Sequence, residues 1–472
     1  MMKLLPTLLA LVAFVQVAVS PPAMAVSNLL LITVDDMNCD SIGSYGCQVP
    51  DVTPNIDRLA TEGLSYDRAF VNIAICQPTR AVWMTGRYPH RNGALGFNTI
   101  RPDVPTLPES LRESVFYNAL IGKHNHVVPS RADAFDLIRK QSQLNFGRGK
   151  QQYIEAVDEA IAAARQAEKP WFIMVNLHDP HRPFAGSNQE KYDPPPEFPR
   201  MFRPDEVPVP GFLPDLPPIR KELAEYFASV HRADDIVGGV LQVVDRLGER
   251  DNTLVLFTSD HGMPLPYAKT NCYYQSNHTP CIVRWPGHIE PGQRDTVHFV
   301  SGIDIAPTLL EVTDCSPLRG CDGKSLLPLW QGEKQPQRNH VFTMINSTSA
   351  KREYPMRAVQ DEQYLYIWNG WAGGNYPFRN ESQSGRTWRA MVNAAKNDDA
   401  IAERVKFYSF RATEEMYDLQ ADPNCLNNLL KEPNDQYSPR ASAMTKRLWH
   451  WMRDTNDPQR GLFEQQVELA LD

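Results

Sequence analysis

Residues 29–46 read LLLITVDDMNCDSIGSYG, an apolar and β-branched run that passes directly into Asp35 and Asp36. A run without polar alternation is the pattern of a strand covered on both faces, as in a parallel sheet. Two adjacent carboxylates at the end of such a strand repel each other, and burying both ionised is costly without a cation. A surface turn would hold the pair, but leaves unexplained why so apolar a strand runs straight into it. Residues 253–266, TLVLFTSDHGMPLP, repeat the design and end their strand in Asp260, His261 and Gly262. Three carboxylates at one sheet edge suit a hard divalent cation, calcium ahead of magnesium. The imidazole of His261 is a softer ligand than calcium usually takes.

Two further runs, WFIMVNL at 171–177 and FYNALIG at 116–122, are predicted strands of the same kind. The first delivers His178, Asp179, His181 and Arg182 after its end, and the second delivers Lys123, His124 and His126. Singly, each histidine is more often a satisfied structural residue than a catalyst. Four strand ends that all deliver charge or imidazole are harder to dismiss. Between residues 230 and 247, Val230, Ala233, Ile236, Val237, Val240, Val244 and Leu247 recur at helical spacing. The alternation predicts an α/β fold: a large, mainly parallel sheet flanked by helices, with ligands at the C-terminal strand ends. Proline is dense from Pro194 to Pro218, which reads as a long surface loop.

After about Glu333 the texture changes. YPMRAVQDEQYLYIWN at 354–369 reads as two antiparallel strands around a polar turn at Asp361 and Glu362. MYDLQADPNCLNNLL at 416–430 reads as strand, turn and helix, and SAMTKRLWHWMRDT at 442–455 as a final amphipathic helix. The expected organisation is a leader over 1–25, a catalytic α/β domain over 26–345, and a smaller C-terminal α+β domain with an antiparallel sheet over 346–472. The leader reading rests on Lys3, an apolar run from Leu4 to Val19 and the small residues Ala23 to Ala25, the layout of a signal peptide cut after Ala25. That run is short for a membrane span and Pro6 interrupts it. A periplasmic or secreted product with no membrane anchor is expected.

The net charge of -8 argues against a nucleic-acid partner, which usually meets a basic stripe. It leaves anionic substrates open, because a pocket can be positive on an acidic protein. Eight cysteines do not describe a disulfide scaffold, although Cys315 and Cys321 bracket a short loop that a bridge could close. The stretch CQPTRAVWMTGRYPHRNG at 76–93 sets Cys76 in what reads as a polar, proline-containing loop, with Arg80 four residues on. Cation ligands, positive donors and candidate general acids together form a toolkit for hydrolysing a tetrahedral oxyanion ester.

That stretch resembles the signature of type I sulfatases, Cys-x-Pro-Ser-Arg followed by Thr-Gly-Arg. The strand ending in two aspartates, the Gly-Lys…His segment and the Ser-Asp-His-Gly segment are similar to the same family, within the alkaline phosphatase superfamily. HDPHRPF, YPMRAVQ and the ending MYDLQADPNCLNNL…LWHWMRDTNDP resemble the heparan N-sulfatase branch. The resemblance runs from about Asn28 to the C-terminus.

It implies that a formylglycine-generating enzyme converts Cys76 to Cα-formylglycine, whose hydrate offers one hydroxyl to attack sulfur and a second to expel sulfate. Arg80 would hold that diol. Asp35, Asp36, Asp260, His261 and the modified Cys76 would ligate one calcium ion. Lys123, His126, His181 and Lys269 would contact sulfate oxygens, with a histidine or lysine protonating the leaving atom. The substrate would be a sulfated oligo- or polysaccharide, and a homodimer is left open. Thr79 stands where the signature has serine, and two residues separate Lys123 from His126 where the N-sulfatase pattern has one, which leaves His124 and His126 as alternatives. An O-sulfatase of marine polysaccharide, a phosphodiesterase or phosphonate hydrolase, and an inactive glycan-binding protein are the rival readings.

Overall fold

The computed structural model describes residues 28–127, 130–187, 189, 192, 195–432 and 437–467. The expected signal peptide and its cleavage site after Ala25 lie outside the described residues. Among those described, no helix is long and apolar enough to cross a membrane.

The first strand shows why its sequence does not alternate. β1 (Asn28–Asp35) is buried along its whole length. Leu30, Ile32 and Val34 enter one hydrophobic core, whereas Leu29 and Leu31 enter a second core on the opposite face. The period of two is present, but both faces are dry. The chain continues through β2 (Leu64–Tyr66), β3 (Ala69–Phe70), β4 (Tyr117–Ile121), β5 (Leu137–Arg139), β6 (Trp171–Pro180), β7 (Thr253–Ser259), β8 (Cys281–Arg284), β9 (Gln293–Asp295) and β10 (Val300–Ser301).

The large sheet has the order β5-β4-β6-β1-β7-β8-β2-β9. From β5 to β7 every pairing is parallel, and β8 runs antiparallel to both β7 and β2. The four strands recognised in the sequence are therefore consecutive neighbours, β4-β6-β1-β7, and their C-terminal ends meet at one edge. The helices Lys150–Gln166 and Pro217–Arg246 cover one face. The helices Cys76–Thr85, Leu107–Glu113 and Ile305–Val312 cover the other. The periodicity read from Val230 marks only the C-terminal half of its helix, which begins at Pro217 and ends the proline-dense stretch.

A second, antiparallel sheet follows: β11 (His340–Ser347), β12 (Glu353–Asp361), β13 (Tyr364–Asn369) and β14 (Glu414–Asp418), in that order. The Asp361 carboxylate accepts from the amides of Gln363 and Tyr364 and so closes the expected turn between β12 and β13. A boundary between residues 345 and 346 runs through β11, since this sheet begins at His340.

Three local expectations are corrected. Cys76 is not in a loop: it is the first residue of the helix Cys76–Thr85 and is buried. Pro78 sits in the first turn, where its missing N–H costs no helical bond. The helix expected after β14 does not form. Asp422 accepts the amides of Leu426 and Asn427, and Asn428 accepts those of Met416 and Leu430, so short polar side chains capture the N–H groups a helix would need. The amphipathic helix Ser438–Asp454 is real but not final, because Arg460–Gln466 follows it. All eight cysteines are free, Cys315 and Cys321 included.

Candidate active site

The converging strand ends bring Asp35, Asp36, Asp260 and His261 within ligand distance of one another, and a second overlapping group joins Asp35 and His261 to Cys76. Asp36 turns the chain out of β1 with φ 70, and its amide donates to Asp260 Oδ1 at 3.1 Å. His261 is followed by Gly262, where a Cβ would lie 2.1 Å from the Gln275 carbonyl oxygen. Only glycine lets the His261 loop pack that closely.

The site passes a test for a cation on its own atoms. The four carboxylate oxygens of Asp35 and Asp36 are buried, with the ammonium groups of Lys123 beside Asp35 and Lys269 beside Asp36 but no hydrogen bond from a backbone amide. Burial pushes Asp36 above the usual carboxylate range despite the pull of Lys269 and His261, so the side chains around it undercompensate its charge. His261 Nδ1 lies 3.0 Å from the Gly262 carbonyl oxygen, a contact that requires the proton on Nδ1. Nε2 is buried without a hydrogen-bond partner, 3.5 Å from Asp260 Oδ1. A nitrogen left unpartnered among carboxylates is placed to join them as a ligand, and the oxygen-rich set with one imidazole fits a divalent ion.

Arg80 is fully buried, and its Nε is left without a hydrogen-bond partner. Its guanidinium donates to Asp260 Oδ2 at 2.8 Å, Thr33 Oγ1 at 2.8 Å and Asn176 Oδ1 at 2.5 Å. Burial pushes Asp260 up, but His261, Arg80, Lys123 and Lys269 outweigh it and hold the carboxyl down at about 2. Cys76 lies one helical turn before Arg80. Burial pushes its thiol up to about 12, with Lys269 opposing and Asp260, Glu381 and Asp36 adding to the rise. An unmodified Cys76 would be a protonated thiol at neutral pH, a weak nucleophile. The helix it begins has no side-chain cap, which leaves the positive end of the dipole to the site.

The other half of the motif is structural. Gly86 closes the helix with φ 60, its amide donating to the Val82 carbonyl. The Thr79 hydroxyl returns to the Ile73 carbonyl, so threonine serves in place of serine without disturbing Cys76 or Arg80.

Four more predicted residues face the cluster. Lys123 (φ 48) follows Gly122, whose missing side chain leaves room for the Asn176 carbonyl, and it ion-pairs with Asp35. Burial brings its ammonium down to about 7. His126 is depressed first by burial and then by Lys123 and Arg80, whereas beyond burial His124 answers only to Lys140. Of the two histidines, His126 is the one whose charged neighbours belong to the site. His181 lies 3.9 Å from Asp36 Oδ2 through Nε2, and its Nδ1 donates to the Arg182 carbonyl at 2.7 Å. Behind it, Asp179 is clamped by Arg148 and Arg232. Lys269 Nζ lies 2.8 Å from Asp36 Oδ1. Arg182 is taken up by Glu222 and Arg357 by Asp457, so both are tied into structural pairs.

Three contributors were not singled out in the sequence. Thr33 and Asn176 orient Arg80, and each could have been noticed as a polar residue inside an apolar strand. Glu381 ion-pairs with Lys269 from beyond the second sheet's β13. It sits in a stretch without periodicity or motif, and nothing in the sequence marks it.

The sulfatase family profile matches residues 27–315. Human N-sulphoglucosamine sulphohydrolase is 30% identical over 465 residues, covering 91% of each chain. An ulvan-active sulfatase from Formosa agariphila is 27% identical, covering 91% of this chain and 80% of its own. A solved protein in complex with its substrate D-glucosamine-2-N,6-O-disulfate superposes with a TM-score of 0.69 at 19% identity, covering 93% of this chain and 99% of that one. The phosphonate monoester hydrolase of Agrobacterium radiobacter also superposes at 0.69, with 18% identity over 91% and 96% of the two chains.

Proposed function

Since the chain belongs to the sulfatase family and is a sulfate ester or sulfamate hydrolase, we propose that it acts from the chain end on a sulfated glycan, with glucosamine N-sulfate as first substrate. The observation that carries the chemistry is the meeting of Cys76, Arg80 and the carboxylate cluster at one sheet edge. The choice of N-sulfate is supported by the human relative, which matches nearly from end to end. An O-sulfated algal polysaccharide is the second reading, favoured by the ulvan-active relative.

Calcium held by Asp35, Asp36, Asp260, His261 and the modified Cys76 would supply a Lewis acid that withdraws charge from a sulfate oxygen. Conversion of Cys76 to Cα-formylglycine would supply a hydrated aldehyde, with one hydroxyl for sulfur and a second for the exit of sulfate. Arg80, pinned by Asn176 and Thr33, holds the group at position 76 in line and shares its charge with Asp260. Lys123 and Lys269 neutralise the non-bridging oxygens, and the uncapped helix end at Cys76 adds its dipole. His126 and His181 are kept neutral by burial until an anion enters and stabilises the imidazolium. Lys123, near 7, is a third candidate to protonate the leaving nitrogen or oxygen.

The test is release of inorganic sulfate by recombinant protein coexpressed with a formylglycine-generating enzyme. N-sulfated and O-sulfated heparin disaccharides are compared with sulfated algal oligosaccharides. Release from the N-sulfated disaccharide alone supports the first reading, and release from algal substrates alone the second. No release from any, alongside cleavage of phosphate diesters or phosphonate esters, overturns both. An unmodified Cys76 peptide from the native host without sulfate release points to a glycan-binding protein.

A further inference from the structure

Lys269 is 1% exposed, and its ammonium touches two carboxylates. One is Asp36, from the end of β1. The other is Glu381, which arrives from the C-terminal part of the chain, in the short helical turn Glu381–Ser384 that follows the second sheet's β13. The segment carrying Glu381 is fixed from both sides. Asn380 Nδ2 donates to the Lys269 carbonyl at 3.3 Å and to the Tyr408 hydroxyl at 3.0 Å, and Ser382 bonds to the same hydroxyl. Two residues after Ser384, the amides of Arg386 and Thr387 donate to Glu222, the partner of Arg182. Glu381, Asp36 and His181 offer ligand atoms within 4.8 Å of one another.

The two carboxylates differ in what they can do. Asp36 belongs to the cluster that fits a cation, and a carboxylate whose lone pairs serve a cation neutralises a neighbouring ammonium poorly. Glu381 comes from outside the strand ends that build that cluster, and its side chain is 31% exposed where that of Asp36 is fully buried. We infer that Glu381 is a positioning residue, which holds Lys269 in the sulfate pocket when Asp36 is engaged by the cation, so that the C-terminal unit completes the active site. The family profile ends at residue 315, well before Glu381. The inference rests on the sulfatase reading but is read out by binding, without turnover.

The experiment is calorimetric titration of the calcium-loaded full-length chain with inorganic sulfate. Glu381→Gln keeps the shape and removes the charge, and it is expected to weaken sulfate binding about tenfold, the order of one charge-assisted contact. Glu381→Asp keeps the charge and is expected to recover most of that loss. Lys269→Met is expected to weaken binding at least as much, and adding Glu381→Gln to it should cost nothing further, since the carboxylate acts through the ammonium. Unchanged or tighter binding in Glu381→Gln, or an additive double variant, overturns the inference. A wild-type chain that binds sulfate yet releases none from any glycan overturns the proposed function and leaves this inference standing. A wild-type chain that releases sulfate from a glycan yet binds no inorganic sulfate overturns this inference and leaves the proposed function standing.

Discussion

Asn176 does for Arg80 what no charged residue in the site does: its carbonyl oxygen takes one arm of the guanidinium while its amide is tied to the Ile121 and Met174 carbonyls. Removing that acceptor leaves a buried N–H without a partner, which costs about 1–3 kcal/mol. Asn176→Ala should therefore lower the unfolding free energy by that amount in urea titrations. It should also lower kcat for sulfate release about 10- to 100-fold with a smaller change in KM, because Arg80 would be misaimed rather than absent. Equal effects on kcat and KM would place Asn176 in substrate binding instead. The carboxylates make a separate prediction. Asp35 and Asp36 are buried together with Asp260 and His261 in one cluster of ligand atoms, so a chelator should lower the melting temperature and calcium should restore it. Saturation at a hundredfold excess over Kd corresponds to about 2.7 kcal/mol. Asp36→Asn should shrink that calcium-dependent shift, and a melting temperature indifferent to chelator would remove the cation from the site.

At the scale of elements, the signature segment divides into a reactive start and a mechanical stop. Gly86 ends the helix Cys76–Thr85 in the left-handed region, and a Cβ there would lie 2.3 Å from Cys321 Sγ and 3.2 Å from the Ile303 carbonyl. Gly86→Ala adds backbone strain of about 1–3 kcal/mol to that clash. It should lower thermal stability and tilt Cys76 at the other end of the helix, which sulfate release at a permissive temperature would register. The same helix shows what the sequence could and could not disclose. The four central strands were legible because burial on both faces writes continuous apolar runs, and their charged ends stood out against them. The helix beginning at Cys76 was not, because a proline in a first turn looks like a proline in a loop. The missing helix after β14 has the converse cause: LNNLL carries helical spacing, but Asp422 and Asn428 win its amides. Glu381 was beyond reach, since its role depends on a segment some hundred residues downstream docking on Lys269, and local pattern holds no trace of that.

At the scale of the whole molecule, the two sheets are joined by a contact with a pH dependence of its own. His90, on the short helix Pro89–Asn92 of the α/β part, lies against the C-terminal part, with its ring edge-on to Trp451 and Nδ1 3.8 Å from Asp457 Oδ2. Asp457 is itself taken by Arg357 of β12 through two hydrogen bonds. Burial of His90 outweighs the pull of Asp457 and brings its pKa down to about 4, so the imidazole is neutral at pH 7 and the close approach to Asp457 is not an ion pair. An unfolded histidine titrates near 6.5. Below that value the unfolded chain binds a proton that the folded chain refuses until about 4. The stability His90 lends to the joint is therefore complete above pH 6.5 and is lost as pH falls from 6.5 to 4. Two and a half pH units set an upper bound of about 3 kcal/mol on that loss. His90→Phe keeps a ring for Tyr88 and Trp451 and removes the titration. Its unfolding free energy should run parallel to wild type above pH 6.5 and should exceed it increasingly as pH falls toward 4. Because Glu381 reaches Lys269 only while the two sheets stay docked, acid should loosen sulfate binding in wild type before the protein unfolds, and His90→Phe should move that loss to lower pH. Identical pH profiles of sulfate binding in the two proteins would mean that His90 does not govern the joint.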